Sequence, residues 1–289
     1  MTVPRRSNAP SVPASDAKAT ADTDRAFAGS VPRQYETLLV PLIFEPYAAD
    51  LAARLAGRRL ARVLEIAAGT GVVTRQLAAL LPPGVAIVAT DLNQPMLDMA
   101  QAVGTVRAVA WQQADALQLP FADGAFDAVV CQFGVMFFPD KARAFSEARR
   151  VLRPGGVYLF NVWDRIERNE FADTVTAALA SLFPDDPPRF MARVPHGYHD
   201  PSIIERDLAR GGFGQTLQIE TLARRSRADS PCKPAAAYCQ GTPLRSEIEA
   251  RGAGRLAEAT DAATAALAAR FGAGTVDGGI QAHVVTVAR

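Results

Sequence analysis

The chain has 289 residues, of which 49% are hydrophobic and 21% charged, a composition typical of a globular protein with a sizeable core. Its 31 basic and 30 acidic residues leave a formal net charge of +1, which disfavours nucleic acid as a partner. No apolar run reaches the ~18 residues that a membrane-spanning helix needs, because Pro82 and Pro83 interrupt the most apolar stretch.

The chain begins MTVPRRSNAPSVPASDAKATADTDR, in which two arginines are followed by no apolar segment, unlike a secretory signal. We expect residues 1–25 to form a disordered tail. The three cysteines are too few and too scattered to predict a disulfide framework or a metal site. We therefore expect a cytoplasmic location and no bound metal.

Residues 26–58 form a predicted N-terminal helical cap, because apolar residues follow helical spacing across RQYETLLVPLIFEPYAADLAARLAG. Pro41 and Pro46 interrupt this pattern, and we expect them to break the helix into pieces. The cap precedes the main body of the chain and could act as a lid.

Residues 59–163 alternate between predicted strands and helices. The strands are RVLEIA, VAIVATD, VAWQQAD, FDAVVCQF and VYLFNVW, and the helices between most of them are VVTRQLAALL, QPMLDMAQAV and KARAFSEARRVL, with a turn at RPGG. Strands that are apolar on both faces and alternate with amphipathic helices predict a parallel sheet covered on both sides. We therefore expect a Rossmann-like, doubly wound α/β fold.

The alternation stops after this core. Residues 164–214 contain helical patterns joined by Pro-rich loops, and we expect them to form a helical insertion over the ligand site. Residues 215–289 contain further helices and two strand candidates, QTLQIETLARRSRAD and QAHVVTVAR, which we expect to complete the sheet.

The end of the first strand is rich in small residues. In VLEIAAGTGVVT, Gly69 and Gly71 allow the backbone to approach a ligand closely before a helix begins. A dinucleotide fingerprint that starts at Gly69 would need glycine at position 74, where this chain has Thr74. This counts against a pyrophosphate-bearing cofactor, although an NAD-dependent oxidoreductase stays an alternative.

Two acidic residues follow the next strands. Asp91 ends the second strand and can accept hydrogen bonds from both hydroxyls of a ribose, a feature shared with NAD binders. Asp115 follows the third strand beside Ala116, which suits recognition of an adenine amino group. Leu92 and Met96 could pack on the faces of the adenine or belong to the core.

Residues 62–163 resemble the core of the class I S-adenosylmethionine-dependent methyltransferases, and especially their broad small-molecule, type 11-like branch. The motifs that carry the resemblance, in the order that the family has them, are VLEIAAGTGVVT, VATDLNQPML, QQADALQLPFADGAFD and VLRPGG. The family usually has glycine where this chain has Ala67. The resemblance implies a seven-stranded sheet with an antiparallel last strand, for which QAHVVTVAR is the candidate.

The resemblance also implies a methyl donor, S-adenosyl-L-methionine, with S-adenosyl-L-homocysteine as product. Backbone groups of the glycine turn would contact its methionine part, and Glu65 would help through the amine or ordered water. The residues expected around the donor are Tyr35, Glu65, Ala67, Gly69, Gly71, Asp91, Leu92, Met96, Asp115, Ala116 and Gln132.

The acceptor is expected to be a small molecule, methylated on O, N, S or C. Phe133, Phe137 and Phe138 follow the fourth strand and serve either as packing or as a substrate platform. His196 and His199, in VPHGYHDP, are candidate acceptor contacts and candidate general bases. A donor-binding regulatory protein without activity is a second alternative, and the sequence does not predict the oligomeric state.

Overall fold

A computed structural model describes residues 24, 25, 27, 29–214 and 217–289. In this part of the chain the strands are β1 (Arg62–Ile66), β2 (Ala86–Asp91), β3 (Ala110–Gln113), β4 (Phe126–Gln132), β5 (Leu152–Trp163), β6 (Leu217–Ala228) and β7 (Val276–Ala288). The predicted tail, residues 1–25, lies outside the described residues except for Asp24 and Arg25.

The strands form one sheet in the order β3-β2-β1-β4-β5-β7-β6. Strands β1 to β5 pair in parallel. Strand β7 pairs antiparallel with β5 on one side and with β6 on the other. The predicted fold class is confirmed, including the antiparallel last strand. The strand order reverses between β1 and β4, which is where ligands of such sheets bind.

Helices of very different length surround the sheet. They are α1 (Val31–Gln34), a π-helical segment (Tyr35–Phe44), α2 (Glu45–Ala53), α3 (Val72–Leu80), α4 (Gln94–Val103), α5 (Lys141–Val151), α6 (Glu170–Leu182), α7 (Phe190–Arg193), α8 (Pro201–Arg210), α9 (Cys232–Gln240), α10 (Leu244–Glu249) and α11 (Arg255–Phe271). Short 3₁₀ turns lie at Val135–Phe137 and Ile166–Arg168. Helix α11 packs on α6 and α9, and α8 packs on α5.

The centre of the sheet forms the core. All seven residues of β4 are buried, as are the last four residues of β1. This is the burial that continuous apolar runs predict for strands covered on both faces. The edge strand β3 is mostly exposed. Its short length and polar residues suit an edge that pairs on one side only.

The N-terminal cap differs from the expectation that its prolines break the helix. Residues 31–53 form one continuous helical run, and Pro41 lies inside its π-helical segment. The amide of Glu45 donates to the carbonyl of Val40, five residues earlier, which is the π-type bond. Pro46 lies at the start of α2, directly after the π-helical segment. The wider turns therefore accommodate Pro41 without a break.

The predicted RPGG turn lies inside β5 instead of before it. Leu152 pairs with Phe126 of β4, and pairing then resumes only at Val157 with Ala128, so the register shifts between these positions. Gly155 has φ +75°, a conformation that side-chain-bearing residues rarely adopt. The Pro-Gly-Gly segment is thus a bulge in a longer strand.

Of the helices that the structure describes, none combines the length and the apolar character that crossing a membrane would require.

Candidate functional site

A cavity lies at the carboxyl ends of the parallel strands and holds about 1060 Å³ of space, part of it open to solvent. It is closed on one side by the cap and on another by residues of α7 and α9. The cavity brings together twelve residues that the sequence analysis named: Tyr35, Ala67, Gly69, Asp91, Leu92, Met96, Asp115, Ala116, Gln132, Phe133, Phe137 and Phe138.

The glycine turn after β1 is tied to the end of β2. The amide of Gly69 donates to Asp91 Oδ2 at 2.8 Å, and the amide of Asn93 donates to Asp91 Oδ1 at 2.8 Å. Burial raises the pKa of Asp91, while these bonds from Asn93 and Gly69 lower it. The carboxylate is therefore held at the cavity wall with a fixed orientation.

Two residues with side chains adopt positive φ at the cavity wall. Ala67, at the end of β1, has φ +54°, and Phe133, at the end of β4, has φ +50°. Positive φ explains why the family has glycine at the first of these positions, since only glycine adopts it without strain. Gly134 makes room for the methyl group of Ala67, because a Cβ at Gly134 would lie 2.5 Å from the Ala67 Cβ.

Glu65, expected to help the donor indirectly, and Gly71, expected to lie around it, do not line the cavity. Glu65 is buried below the glycine turn and accepts a 2.5 Å hydrogen bond from Thr74. Burial raises the pKa of Glu65 to about 8, although the bond from Thr74 lowers it. The close approach at Gly71 is made by Trp111, whose ring would lie 3.0 Å from an added Cβ. Gly71 thus lies at a close packing contact and has φ +83°, a conformation that favours glycine, and its role beside the donor stays a prediction.

A buried amide at the end of β4 lacks a partner on one atom. Gln132 lines the cavity, and its Nε2 donates to the carbonyl of Phe44 at 3.4 Å. Its Oε1 is buried and has no hydrogen-bond partner within the described residues. A buried acceptor without a partner is costly, so it is available to a donor group of a bound molecule.

Asp115 lies in an exposed turn at the cavity wall, where its Oδ1 accepts from the amide of Leu117 at 2.9 Å. Leu92 and Met96 line the same part of the cavity. Leu92 is exposed and Met96 is buried. Asp91 at the end of β2 and Asp115 in the turn after β3 therefore lie on one wall of the cavity. This is the position expected for ligand-binding residues in such a sheet, at the carboxyl ends of the parallel strands.

Stacked aromatic rings form the opposite wall. The rings of Phe133 and Trp163 stack at 3.8 Å with an angle of 7° between their planes. The ring of Phe44 lies 5.6 Å from Phe133 and 6.0 Å from Trp163. Tyr47 meets both rings edge-on from behind. Sequence reasoning missed Trp163, although its place at the carboxyl end of β5 was a usable signal.

Other cavity residues had no signal in the sequence. They come from the cap, the 3₁₀ turn after β4 and the helices beyond the core, and include Arg25, Phe27, Leu39, Ile43, Met136, Phe190, Met191, Tyr238 and Thr242. Their positions depend on how distant segments pack over the sheet, which local periodicity does not specify.

The two candidate histidines do not line the cavity. His196 is buried, and its Nδ1 lies 2.8 Å from the carbonyl oxygen of Asp164. Burial lowers the pKa of His196 to about 4. The Nδ1 of His199 lies 2.7 Å from the carbonyl of His196. His196 thus supports the segment after Trp163, His199 supports the loop that contains His196, and neither ring reaches the cavity.

Ion pairs fasten the cap and the segment before it. Arg75 bonds Glu36 of the cap at 2.8 Å and the carbonyl of Thr70 in the glycine turn at 2.7 Å. Arg193 of α7 pairs with Asp24, with one contact at 2.8 Å, and with Glu247 at 2.7 Å. These pairs close the cavity from two sides.

Comparison with known proteins identifies the core. Residues 64–160 match the family model described as a methyltransferase domain, of the type 11 family. These residues form a methyltransferase domain. The resemblance stated from the motifs is thereby confirmed.

Curated relatives of the methyltransferase domain include the demethylmenaquinone methyltransferase of Thermus thermophilus, 44% identical over 38% of this chain and 49% of that protein. Another is the ubiquinone/menaquinone biosynthesis C-methyltransferase UbiE of Proteus mirabilis, 40% identical over 34% of this chain and 41% of that protein. The chain thus spans about half the length of these relatives or less.

Solved structures extend the likeness in fold beyond the methyltransferase domain. Phosphoethanolamine N-methyltransferase 2 of Haemonchus contortus has a TM-score of 0.57 at 17% identity, over 93% of this chain and 60% of that one. The YcgJ protein of Bacillus subtilis has a TM-score of 0.52 at 18% identity, over 84% of this chain and 98% of that one. At this identity the likeness shows the fold alone.

Proposed function

We propose that the protein transfers a methyl group from S-adenosyl-L-methionine to a small-molecule acceptor. The observation that carries the proposal is the convergence of Gly69, Asp91, Asp115 and the unpartnered Gln132 Oε1 on one cavity of a methyltransferase domain. The curated relatives are named as a demethylmenaquinone methyltransferase and a ubiquinone/menaquinone biosynthesis C-methyltransferase. These names also favour a small-molecule acceptor.

The residues present fit this donor. Asp91 supplies a carboxylate for the ribose hydroxyls, and Asp115 beside Ala116 suits the adenine amino group. The free Oε1 of Gln132 and the backbone of the glycine turn suit the charged amino-acid end. These groups are hydrogen-bond acceptors, which matches a cofactor with a ribose diol, an amine and no phosphate.

The donor supplies a methyl group already activated by the positive charge on sulfur. The acceptor atom forms a bond to the methyl carbon, the carbon–sulfur bond breaks with its electron pair retained by sulfur, and the acceptor proton goes to solvent. The chain's own part is to align the two molecules and exclude water, which is worth about 7–11 kcal/mol in favourable cases. The aromatic wall around Phe133 and the cap perform both tasks.

No general base is part of this proposal. The charged residues among the described lining residues are Arg25, Asp91 and Asp115, and both carboxylates lie on the donor side. The earlier hypothesis that His196 or His199 removes the acceptor proton remains open to test, although neither lines the cavity.

The NAD-dependent oxidoreductase is the weaker candidate. Thr74 is fully buried and bonds Glu65 directly below the glycine turn. A dinucleotide fold would have glycine at that position, where the helix packs closely and the pyrophosphate lies at its N-terminus. The second alternative is a regulatory protein that binds the donor without activity. It would need the same cavity, so only a measurement of methyl transfer distinguishes it from an enzyme.

We also propose a cytoplasmic location, supported by the free thiols of Cys131, Cys232 and Cys239.

Calorimetric titration with S-adenosyl-L-homocysteine and, separately, with NADH tests the donor. We expect saturable binding of S-adenosyl-L-homocysteine at one site and no heat with NADH. Binding of NADH in preference to S-adenosyl-L-homocysteine would overturn the proposal. Methyl transfer from labelled S-adenosyl-L-methionine to any small acceptor would then separate an enzyme from a regulatory protein.

A further inference from the structure

Within the described residues, the half of the cavity away from the acidic strand tips has no carboxylate in its lining. This half, the acceptor side, lies beyond β4 and is lined by Leu39, Phe44, Met136, Trp163, Phe190 and Tyr238. Asp91 and Asp115 lie on the other half, at β2 and after β3. The remaining charged residue of the lining is Arg25, which is a cation. A cationic group on the acceptor side would therefore lose its hydration without meeting a carboxylate, which is costly.

The acceptor side is shaped for a flat group. Phe133 and Trp163 lie nearly parallel, and Phe44 is tilted against both. The edge-on ring of Tyr47 supports the stack from behind. Planar rings bind such walls through offset stacking and edge contacts.

One polar group on this side is available to a ligand. Tyr238 of α9 is 2% exposed and lines the cavity, and its hydroxyl has no hydrogen-bond partner within the described residues. The neighbouring hydroxyl of Thr242 is occupied, since it donates to the carbonyl of Tyr238 at 2.8 Å and accepts from the amide of Leu244 at 3.2 Å. A phenol hydroxyl without a protein partner, on a side chain that lines the cavity, can donate to a ligand atom.

The Tyr238 hydroxyl stays protonated, because burial raises the pKa of this phenol well above its ordinary value. It therefore donates a hydrogen bond and does not serve as a base near neutral pH.

We propose that the acceptor is a planar, largely apolar molecule without positive charge, whose oxygen accepts a hydrogen bond from Tyr238 while its ring lies against Trp163 and Phe133. This inference rests on the proposed function, because it takes the other half of the cavity to hold the donor. Tyr238 is then a specificity-determining residue for the acceptor.

The test is calorimetric binding of three naphthalenes to the full chain, with and without S-adenosyl-L-homocysteine. The probes are 2-acetylnaphthalene, which has a carbonyl acceptor, 2-ethylnaphthalene, which lacks it, and 2-naphthyltrimethylammonium, which is cationic. We expect 2-acetylnaphthalene to bind tightest, with about a tenfold advantage over 2-ethylnaphthalene, the range of one buried hydrogen bond. Tyr238→Phe should remove that advantage and leave the binding of 2-ethylnaphthalene unchanged.

Tyr198→Phe is the matched control, because this buried phenol bonds Asp207 and does not line the cavity. It should keep the tenfold advantage. The proposal is overturned if the cation binds tightest, if no probe binds, or if Tyr238→Phe retains the advantage. If Tyr238→Phe does not fold, the comparison of the acetyl and ethyl probes on the parent chain still decides, since equal affinity for both overturns the hydrogen bond. Failure of S-adenosyl-L-homocysteine to bind would instead refute the proposed donor, and the probe titrations without it report on the acceptor side separately.

Discussion

The amide of Gly69 donates a 2.8 Å hydrogen bond to Oδ2 of Asp91, which joins the end of β1 to the end of β2. The same carboxylate holds the start of α4 through the amide of Asn93. One buried side chain thus fixes two turns at the point where the strand order reverses. Charge-assisted bonds of this kind are about twice as strong as neutral ones, so the turn is pre-shaped for a ligand.

Replacement of Asp91 should weaken donor binding, because it removes the carboxylate and the bonds that hold the turns at Gly69 and Asn93, while the sheet should still form. We expect Asp91→Ala to lower the affinity for S-adenosyl-L-homocysteine by tenfold or more, because a bond to a charged acceptor contributes about 1.5–3 kcal/mol. Calorimetry measures the affinity, and circular dichroism checks the fold. Asp98→Ala, an exposed acid on α4, is the control and should bind like the parent. Unchanged affinity in Asp91→Ala would place the ribose elsewhere.

Glu65 should make the free energy of unfolding decrease as the pH rises, the opposite of the usual effect of a carboxyl group. Its pKa in the folded chain is about 8 because of burial, against an ordinary value of 4.5, so the folded state holds an extra proton between these pH values. The stability that this proton contributes is fully present below about pH 4.5 and is lost as the pH rises toward 8, by at most about 1.4 kcal/mol per pH unit. Urea unfolding of the parent and of Glu65→Gln from pH 5 to 8 measures it. The variant should lack this slope, and identical slopes would contradict the prediction.

Gly134 and Ala67 should be coupled. A methyl group at Gly134 would lie 2.5 Å from the Ala67 Cβ and 2.8 Å from the sulfur of Cys131, so we expect Gly134→Ala to lower the free energy of unfolding by about 1–3 kcal/mol. Ala67→Gly removes the contact with the Ala67 Cβ and the strain of φ +54°. In the double variant it should therefore restore part of the free energy of unfolding that Gly134→Ala loses. Strictly additive effects in urea unfolding would show that the two positions do not touch.

His196 should remain neutral at the pH of most cellular compartments. Burial lowers its pKa to about 4, because the nearby Asp164 and Glu167 offset only part of the lost hydration of the charged ring. NMR titration of labelled histidines measures this, with His196→Gln to assign the signal among the three histidines of the chain. A midpoint near 6.5 would contradict the prediction and reopen the general-base hypothesis for this residue. For His199, unchanged turnover of His199→Ala across the pH range would retire the same hypothesis.

Much of the sheet and of the donor wall could be read from the sequence, because parallel strands and their end residues leave local signals. The helix QPMLDMAQAV is observed as Gln94–Val103, and Gly69, Asp91 and Asp115 line one cavity. The acceptor wall could not be predicted in the same way. Phe190 and Tyr238 reach it through packing between segments far apart in the chain, and no periodicity encodes that packing.

Some local features were also beyond pattern reasoning. Pro41 was expected to break a helix, whereas it lies inside a π-helical segment of a continuous helical run. Gly71 resembles a ligand-binding glycine in sequence, but its φ of +83° and the close contacts from Trp111 and Ala100 also favour glycine there. Residue type alone does not separate these structural roles from the ones that the pattern predicts.

The π-helical segment determines which side chains of the cap face the cavity. Tyr35 and Phe44 stack with their centroids 4.9 Å apart, although nine positions separate them in the chain. Nine residues span about two and a half turns of an α-helix, which would point the two rings in opposite directions. The wider coil brings them back into line after roughly two turns. A redesign that converted this segment to a regular α-helix would therefore rotate one of the two rings away from the cavity and remove part of its cover.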